Sequence, residues 1–295
     1  MITLVEVLQR TTTFFEQKGI PSARLDAQLI LGKVLGLDRV KLYLNFDRPI
    51  ADPELETLRP LVRRRGEREP LAWVLGTKEF YGRDFDVGPG VLVPRPDTET
   101  LIEKLLAAFG SAEGSDPAPL YVADVGSGSG CIGITLALED PRVRVYAIDA
   151  SPEALEYTRK NIEKHALKDR VAALNGRDLA VPSARRIDWV VSNPPYIPSA
   201  AIAGLQPEVA LREPKLALDG GADGLDMYRR LIPLAAQRAQ VGIAFEVGEG
   251  QAEAVRDLLT AAGFAAQIHN DLSGIGRAVI GARGSSDGGT LYAAL

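Results

Sequence analysis

Five residues, Ser192-Asn193-Pro194-Pro195-Tyr196, end an apolar run that begins at Ile187. A residue before proline is pushed toward extended backbone, so Asn193 is held out of the α region. Pro194 and Pro195 have no N–H to give to a sheet ladder. The result is a stiff corner rich in acceptors: the Asn193 amide oxygen, the Pro194 carbonyl and the flat Tyr196 ring. Such a corner suits a planar NH2 group, which offers two donors and a π face. A rigid surface turn with a packed tyrosine would read the same way.

Three other stretches could do chemistry with it. Asp124-Val125-Gly126-Ser127-Gly128-Ser129-Gly130 lies between an apolar run and a helical pattern. Glycines there let backbone approach a ligand, and a helix N-terminus offers free N–H groups. Without a following Gly-Lys-Ser/Thr it is not a P-loop. Asp149 closes the next apolar run, where a carboxylate takes ribose hydroxyls. Ser151-Pro152 supplies the cap and first turn of the next helix, which leaves Asp149 free for a ligand. Asp178, with Leu179, follows the third run; it could accept from an adenine amino group or be an ordinary loop residue.

Other candidates are weaker. His165 reads as a late-helix residue and His269 as a strand end, without partners at metal spacing. No metal site is expected. Cys131 opens a buried helix and reads as core. Glu246, an acid inside an apolar strand, reads as structural or as the edge of a site.

The elements that would hold these residues alternate. Apolar runs at 120–125, 142–148, 171–175, 187–192, 241–247, 265–269 and 277–282 are strands, with helices at 131–138, 152–165, 225–237 and 251–262 between them. Pro233 is a possible kink. This is an α/β pattern with a mostly parallel, Rossmann-like sheet of seven strands. Ligands bind at the carboxyl ends of such strands where the strand order reverses, so Asn193 and the glycine loop would share one crevice.

The preceding residues read as a small helical bundle. Leu4, Val5, Leu8, Thr12 and Phe15 recur at helical spacing. A second helix, Ala23 to Leu35, shows Leu25, Leu29, Ile30 and Val34 as its apolar stripe and closes at Gly36. A short helix or turn follows at 40–44, and Asp52-Pro53 starts another helix. Arg63, Arg64, Arg65 and Arg68 at its end read as a solvated face, or less simply as a docking face for an acidic or RNA-bearing partner. Strand formers broken by Gly82, Gly88-Pro89-Gly90 and Pro94 read as a β-hairpin. The expected domains are 1–76 (helical, for substrate docking), 77–95 (hairpin linker), 96–283 (catalytic) and a disordered tail, 284–295. Residues 111–119 read as a surface loop.

The chain has 295 residues, is 46% hydrophobic and 25% charged, and carries a net charge of -5 from 34 basic and 39 acidic residues. This is globular composition without the basic excess of a nucleic-acid binder. One cysteine precludes an internal disulfide and fits a reducing compartment. No signal peptide or membrane-length apolar run is evident, so a cytoplasmic location is expected.

Glycine loop, second-strand acid, loop acid and Asn-Pro-Pro-Tyr, in this order, resemble the class I S-adenosylmethionine-dependent methyltransferases. The chain is most similar to the bacterial protein-(glutamine-N5) methyltransferases that act on peptide chain release factors. The matching stretches are Glu69 to Gly76, Glu79 to Gly82, Val93 to Glu99, Asp124 to Gly130, Ser192 to Ile197, Glu213 to Gly221, Phe245 to Gly248 and Asp271 to Gly274. The resemblance implies S-adenosyl-L-methionine as cofactor, on Gly126, Ser127, Gly128, Ser129, Gly130, Asp149, Asp178, Leu179 and Asn193. It implies Asn193, Pro194, Pro195 and Tyr196 around the glutamine, with Asn193, Pro194 and Tyr196 catalytic. Phe80-Tyr81 and Pro94-Arg95-Pro96 would wall the site. Many relatives have an aromatic residue where Leu179 stands. The implied substrate is the glutamine of the Gly-Gly-Gln motif of a release factor. A ribosomal protein glutamine, a nucleic-acid amino group, or a non-catalytic binding role are the alternatives. A monomer without stable nucleic-acid or membrane binding is expected.

Overall fold

The computed structural model describes residues 2–110 and 118–283; most of the expected loop at 111–119 and the expected tail at 284–295 lie outside them. Chain contacts divide the protein into two units, Met1–Lys78 with Gln206–Arg212, and the remainder.

The first unit contains α1 (Leu4–Gln17), α2 (Ala23–Leu35), α3 (Arg39–Leu44), α4 (Asp52–Gly66) and α5 (Leu71–Leu75). Thr3 and Glu6 cap α1 reciprocally: Glu6 Oε2 accepts the Thr3 N–H at 2.8 Å, and Thr3 Oγ1 accepts the Glu6 N–H at 3.4 Å. α2 ends at Gly36, whose φ of 64° is a left-handed cap. Leu4, Leu8, Phe15, Ile30, Leu31, Leu58 and Val74 form the core.

Two expectations fail in this unit, and for one reason. The buried face of α2 is Ala23, Asp26, Ala27, Gln28, Ile30 and Leu31, while Leu25 is exposed. The arginines at the end of α4 and beyond are not one solvated face: Arg63 is exposed, but Arg65 is 4% exposed. Its Nε meets Asp26 Oδ2 at 2.7 Å and its Nη1 meets Glu208 Oε1 at 2.7 Å. Arg68 joins Glu208 Oε2 at 2.6 Å, and Arg64 pairs with Glu69. Buried charges need partners, and these partners are far apart in sequence. Glu208 belongs to α9 (Pro207–Arg212), an excursion that the expected 96–283 domain placed elsewhere.

β1 (Thr77–Phe80) and β2 (Arg83–Asp86) make a two-stranded sheet. Its tip, Tyr81 and Gly82, has φ of 52° and 71°, the positive pair that a tight two-residue hairpin requires. The strands stop at Asp86; Val87, Val91 and Val93 are buried but irregular, because Gly88-Pro89-Gly90 and Pro94 interrupt pairing.

The second unit is built on α6 (Thr98–Phe109), β3 (Leu120–Val125), α7 (Cys131–Glu139), β4 (Val143–Asp149), α8 (Pro152–Lys164), β5 (Val171–Asn175) and β6 (Ile187–Ser192). A short 3-10 turn at Ser199–Gly204 and α10 (Lys215–Leu218) precede α11 (Asp226–Arg238), β7 (Ala239–Glu246), α12 (Ala252–Ala261), β8 (Ala265–Asn270) and β9 (Gly276–Ala282). α11 runs through Pro233 unbroken.

The seven-stranded sheet has the order β5-β4-β3-β6-β7-β9-β8. β5, β4, β3, β6 and β7 pair in parallel, while β9 is antiparallel to both neighbours. The connection from β8 to β9 is too short for a parallel crossover. Successive residues of β3 point to opposite faces, Val122 into one core cluster and Ala123 into the other. The order reverses at β3, with β4 on one side and β6 on the other. The carboxyl ends of β3, β4 and β6 therefore converge, as the alternation implied.

Candidate methyl-transfer site

The glycine loop is held open from three sides. Gly126, Gly128 and Gly130 have φ of 73°, 57° and 82°, a backbone that side chains resist. Thr158 Oγ1 donates to the Gly128 carbonyl at 2.8 Å. Asn161 Nδ2 donates to the Ser129 carbonyl at 2.8 Å, and its Oδ1 accepts the Asp86 N–H at 2.7 Å. Asn161 is fully buried and ties β2 to the loop; nothing in its local sequence marks it. Beneath the loop, Asp124 Oδ2 accepts the Gly133 N–H at 3.0 Å. Burial pushes the Asp124 carboxyl up to about 7, against that hydrogen bond and with the Asp149 charge adding to the rise.

Asp149 is not idle. Its Oδ2 accepts the Gly128 N–H and its Oδ1 the Ser151 N–H, each at 2.8 Å. Ser151 Oγ does cap α8, accepting from Ala154 N at 3.1 Å, but its own N–H still needed a partner. A carboxylate has about four lone-pair sites, so two remain for a pair of hydroxyls. Asp178 sits at φ 54°, and Arg230 Nε lies 2.7 Å from its Oδ1. Leu179 packs against the core cluster that holds Ile148, Val190 and Ile243 rather than lining the cavity.

At the end of β6, Ser192 Oγ donates to the Val125 carbonyl at 2.6 Å and locks the corner to β3. Asn193 Nδ2 donates to Thr98 Oγ1 at 3.3 Å. Tyr196 lies behind the corner: its hydroxyl meets Glu246 Oε1 at 3.3 Å, and its carbonyl accepts from Gln251 Nε2 at 2.8 Å. Glu246 is fully buried, and burial pushes its carboxyl up to about 7 against the Thr98 hydroxyl, Arg277 and Tyr196. The stretch 213–221 folds back on the corner. Ile197 N donates to the Leu218 carbonyl at 3.0 Å, and a Cβ at Gly220 would fall 2.8 Å from the Pro195 carbonyl.

These parts surround a cavity of about 180 Å³. Gly126, Ser127, Gly128, Ser129, Asp149, Asp178, Asn193 and Pro195 line it. Gly130, Leu179, Pro194 and Tyr196 do not, and neither do Phe80, Tyr81 or Pro96. Phe80 is core, packed edge-on against Phe85. Pro94 and Arg95 are on the wall, and Arg95 is held by Glu213 at 2.6 Å. Cys131 also reaches the cavity, with its thiol pushed up to about 12 by burial. His165 sits at the end of α8 against Phe85 and His269 at the end of β8, as their spacing indicated. Among the described residues no group of three or more His, Cys, Asp or Glu is placed to hold a metal, and no helix is long and apolar enough to cross a membrane.

Two family models match the chain: the PrmC N-terminal domain over residues 6–76 and the methyltransferase small domain over residues 98–207. A release factor glutamine methyltransferase of Geobacter sulfurreducens is 43% identical over 282 residues, 95% of this chain and 96% of the relative. The chain belongs to the release factor glutamine methyltransferase family. A further member, from Moorella thermoacetica, is 41% identical over 89% of this chain and 91% of its own length. The solved hMettl16 catalytic domain, in complex with MAT2A 3'UTR hairpin 1, aligns over 80% of this chain and 82% of its own, with a TM-score of 0.57 and 16% identity. That likeness shows the fold alone.

A methyltransferase needs a methyl donor, and the residues of this family member fit one of the S-adenosylmethionine type. Positive-φ glycines open the backbone at β3, Asp149 keeps acceptor capacity at β4, and Asp178 supplies an acceptor after β5. All three border the cavity that Asn193 also enters.

Proposed function

We propose that this chain transfers a methyl group to the side-chain amide nitrogen (N5) of a glutamine in a peptide chain release factor, with S-adenosyl-L-methionine as donor. The observation that carries this reading is the shared cavity: Asn193 and the glycine loop Gly126–Ser129 line the same space. When bound, the cofactor supplies an electrophilic methyl on a sulfonium.

The chain's own residues do the rest. An amide nitrogen is a poor nucleophile because its lone pair is delocalised into the carbonyl. Asn193 Oδ1, on the cavity wall, and the Pro194 carbonyl, one residue outside that lining, accept the two N–H bonds of the substrate amide, fix its orientation and stabilise the positive charge that grows on nitrogen. Pro195, on the cavity wall, keeps the corner rigid and excludes water. Tyr196 supports the corner from behind, through Glu246 and Gln251. No strong base is required, since the nitrogen proton becomes acidic once the methyl is attached. Gly126 to Gly130 hold the methionine part, Asp149 the ribose and Asp178 the adenine amino group. Leu179, away from the cavity, contributes through packing.

The first unit, with its own core and the buried Asp26–Arg65–Glu208 cluster, is the docking module for the protein substrate. The enzyme works in the cytoplasm as a monomer. Incubation of the purified chain with whole release factor and labelled cofactor, followed by mass spectrometry of peptides, tests the reading. The methyl is expected on one glutamine side chain. Label on a ribosomal protein or on nucleic acid, with none on release factor, would overturn it.

A further inference from the structure

Both ends of the Asn-Pro-Pro-Tyr corner lead to one buried carboxyl. Asn193 Nδ2 donates to Thr98 Oγ1 at 3.3 Å. The Thr98 hydroxyl lies beside Glu246 and favours its charged form, although Glu246 Oε2 has no aligned hydrogen-bond partner among the described residues. Tyr196 closes the circuit on Glu246 Oε1 at 3.3 Å. Thr98 is 2% exposed and Glu246 is fully buried, so bulk water does not substitute for either.

A hydroxyl has one proton and two lone pairs. If that proton turns to the neighbouring carboxylate, only lone pairs are left for Asn193. The branch of the amide that meets Thr98 is then NH2, and Oδ1 is the branch left for the cavity that Thr98 and Asn193 both line. Oxygen and nitrogen of an amide are nearly the same size, so packing alone does not set this orientation; hydrogen bonding does.

We propose that Thr98 and Glu246 are positioning residues that fix which way the Asn193 amide faces, presenting Oδ1 rather than NH2 to the substrate. This rests on the reading of the corner as the amide-binding site. The orientation also discriminates chemically. Oδ1 and the Pro194 carbonyl are both acceptors; they welcome the NH2 of glutamine and repel the carboxylate of glutamate. A flipped Asn193 would set donor against donor.

The charge state of Glu246 decides whether the arrangement holds. A protonated carboxyl can donate to Thr98, which frees the Thr98 proton for Asn193 and admits the flipped amide. Burial pushes Glu246 up to about 7. The groups facing it are the hydroxyls of Thr98, Tyr196 and Tyr228, the Arg277 cation, the Asp97 carboxylate and the Cys131 thiol. Arg277 favours the charged form and Asp97 opposes it. Burial pushes both tyrosines and Cys131 upward, so they stay neutral while Glu246 titrates.

The test compares kcat and KM on release factor for the wild type, Thr98→Val, Thr98→Ser and Glu246→Gln, with cofactor affinity measured calorimetrically for each. Thr98→Val is expected to lower kcat roughly a hundredfold, the scale of a misplaced reacting group, with cofactor affinity unchanged. Thr98→Ser keeps the hydroxyl and restores most of kcat. Wild-type kcat falls on acidification through about pH 7, and Glu246→Gln loses that acid limb. Wild-type kcat in Thr98→Val, no rescue by Thr98→Ser, or a wild-type kcat that does not fall on acidification would each overturn the inference. Should Thr98→Val lose cofactor binding through misfolding, the serine variant and the wild-type pH profile decide. An inactive Asn193→Ala beside a fully active Thr98→Val would sink this inference alone; a wild type that never methylates release factor would sink the underlying reading as well.

Discussion

Asp149 Oδ2 accepts the Gly128 N–H at 2.8 Å, so the acid that ends β4 is stitched to the glycine loop that ends β3. One side chain both shapes the loop and keeps acceptor capacity for a ligand. Replacement with alanine strips Gly128 and Ser151 of their partner and removes the hydroxyl acceptor. A lost charged hydrogen bond is worth about 1.5–3 kcal/mol. Asp149→Ala is therefore expected to weaken cofactor binding roughly ten- to hundredfold by calorimetry. Asp149→Asn, which keeps one acceptor oxygen, should fall between. Unchanged affinity in Asp149→Ala would remove Asp149 from the cofactor site.

Asp124 makes stability depend on pH in an unusual direction. Its carboxyl rises from 3.8 to about 7 on burial, so between those values the native state holds a proton that the unfolded state has released. Stability falls with rising pH wherever the native state binds more protons, so Asp124 costs stability progressively from about pH 4 to about pH 7 and fully above that. Asp124→Asn, which can still accept from Gly133 N–H, should flatten that fall. Urea midpoints measured across this range check it. A wild-type curve no steeper than that of the variant would contradict the assignment.

Much of this frame was legible because it is local. Helical spacing placed α1, Ser151-Pro152 placed the start of α8, apolar runs placed the seven strands, and Gly126–Gly130 with Asn193-Pro194-Pro195 marked the strand ends. What was not legible depends on distant partners. Nothing near Arg65 announces that Asp26 and Glu208 bury it, 39 and 143 positions away. The same holds for Asn161, which reaches Asp86 and Ser129. Tyr196 looked like a cavity wall because its neighbours are; its contact with Glu246, 50 residues on, turns it behind the corner.

The buried cluster of the first unit gives a stability test. Arg65→Ala leaves Asp26 with an uncompensated buried charge and leaves Glu208 only Arg68, which costs about 3–5 kcal/mol. Arg65→Lys should recover little, because an ammonium lacks the planar fork that reaches both acids. Arg63→Ala, on an exposed side chain, should stay within about 0.5 kcal/mol. Denaturation midpoints of the three variants decide. Equal midpoints for Arg65→Ala and Arg63→Ala would show that the cluster contributes nothing.

Gly133 lets α7 lie close to the sheet. A Cβ there would fall 2.7 Å from Val145 Cγ1 and 3.0 Å from Asp124 Oδ2. Gly133→Ala should destabilise by about 1–3 kcal/mol, as overpacking does. Because α7 carries the glycine loop, cofactor affinity should fall with it. A variant as stable as the wild type would mean that the helix moves away freely.

The central claim is that Asn193 acts on the substrate amide. The direct measurement is kcat on release factor for Asn193→Ala beside its cofactor dissociation constant. Removal of one preorganised acceptor should lower kcat roughly a hundred- to thousandfold, with cofactor affinity close to that of the wild type. Near-normal turnover, or a loss of turnover explained entirely by lost cofactor binding, would contradict the account.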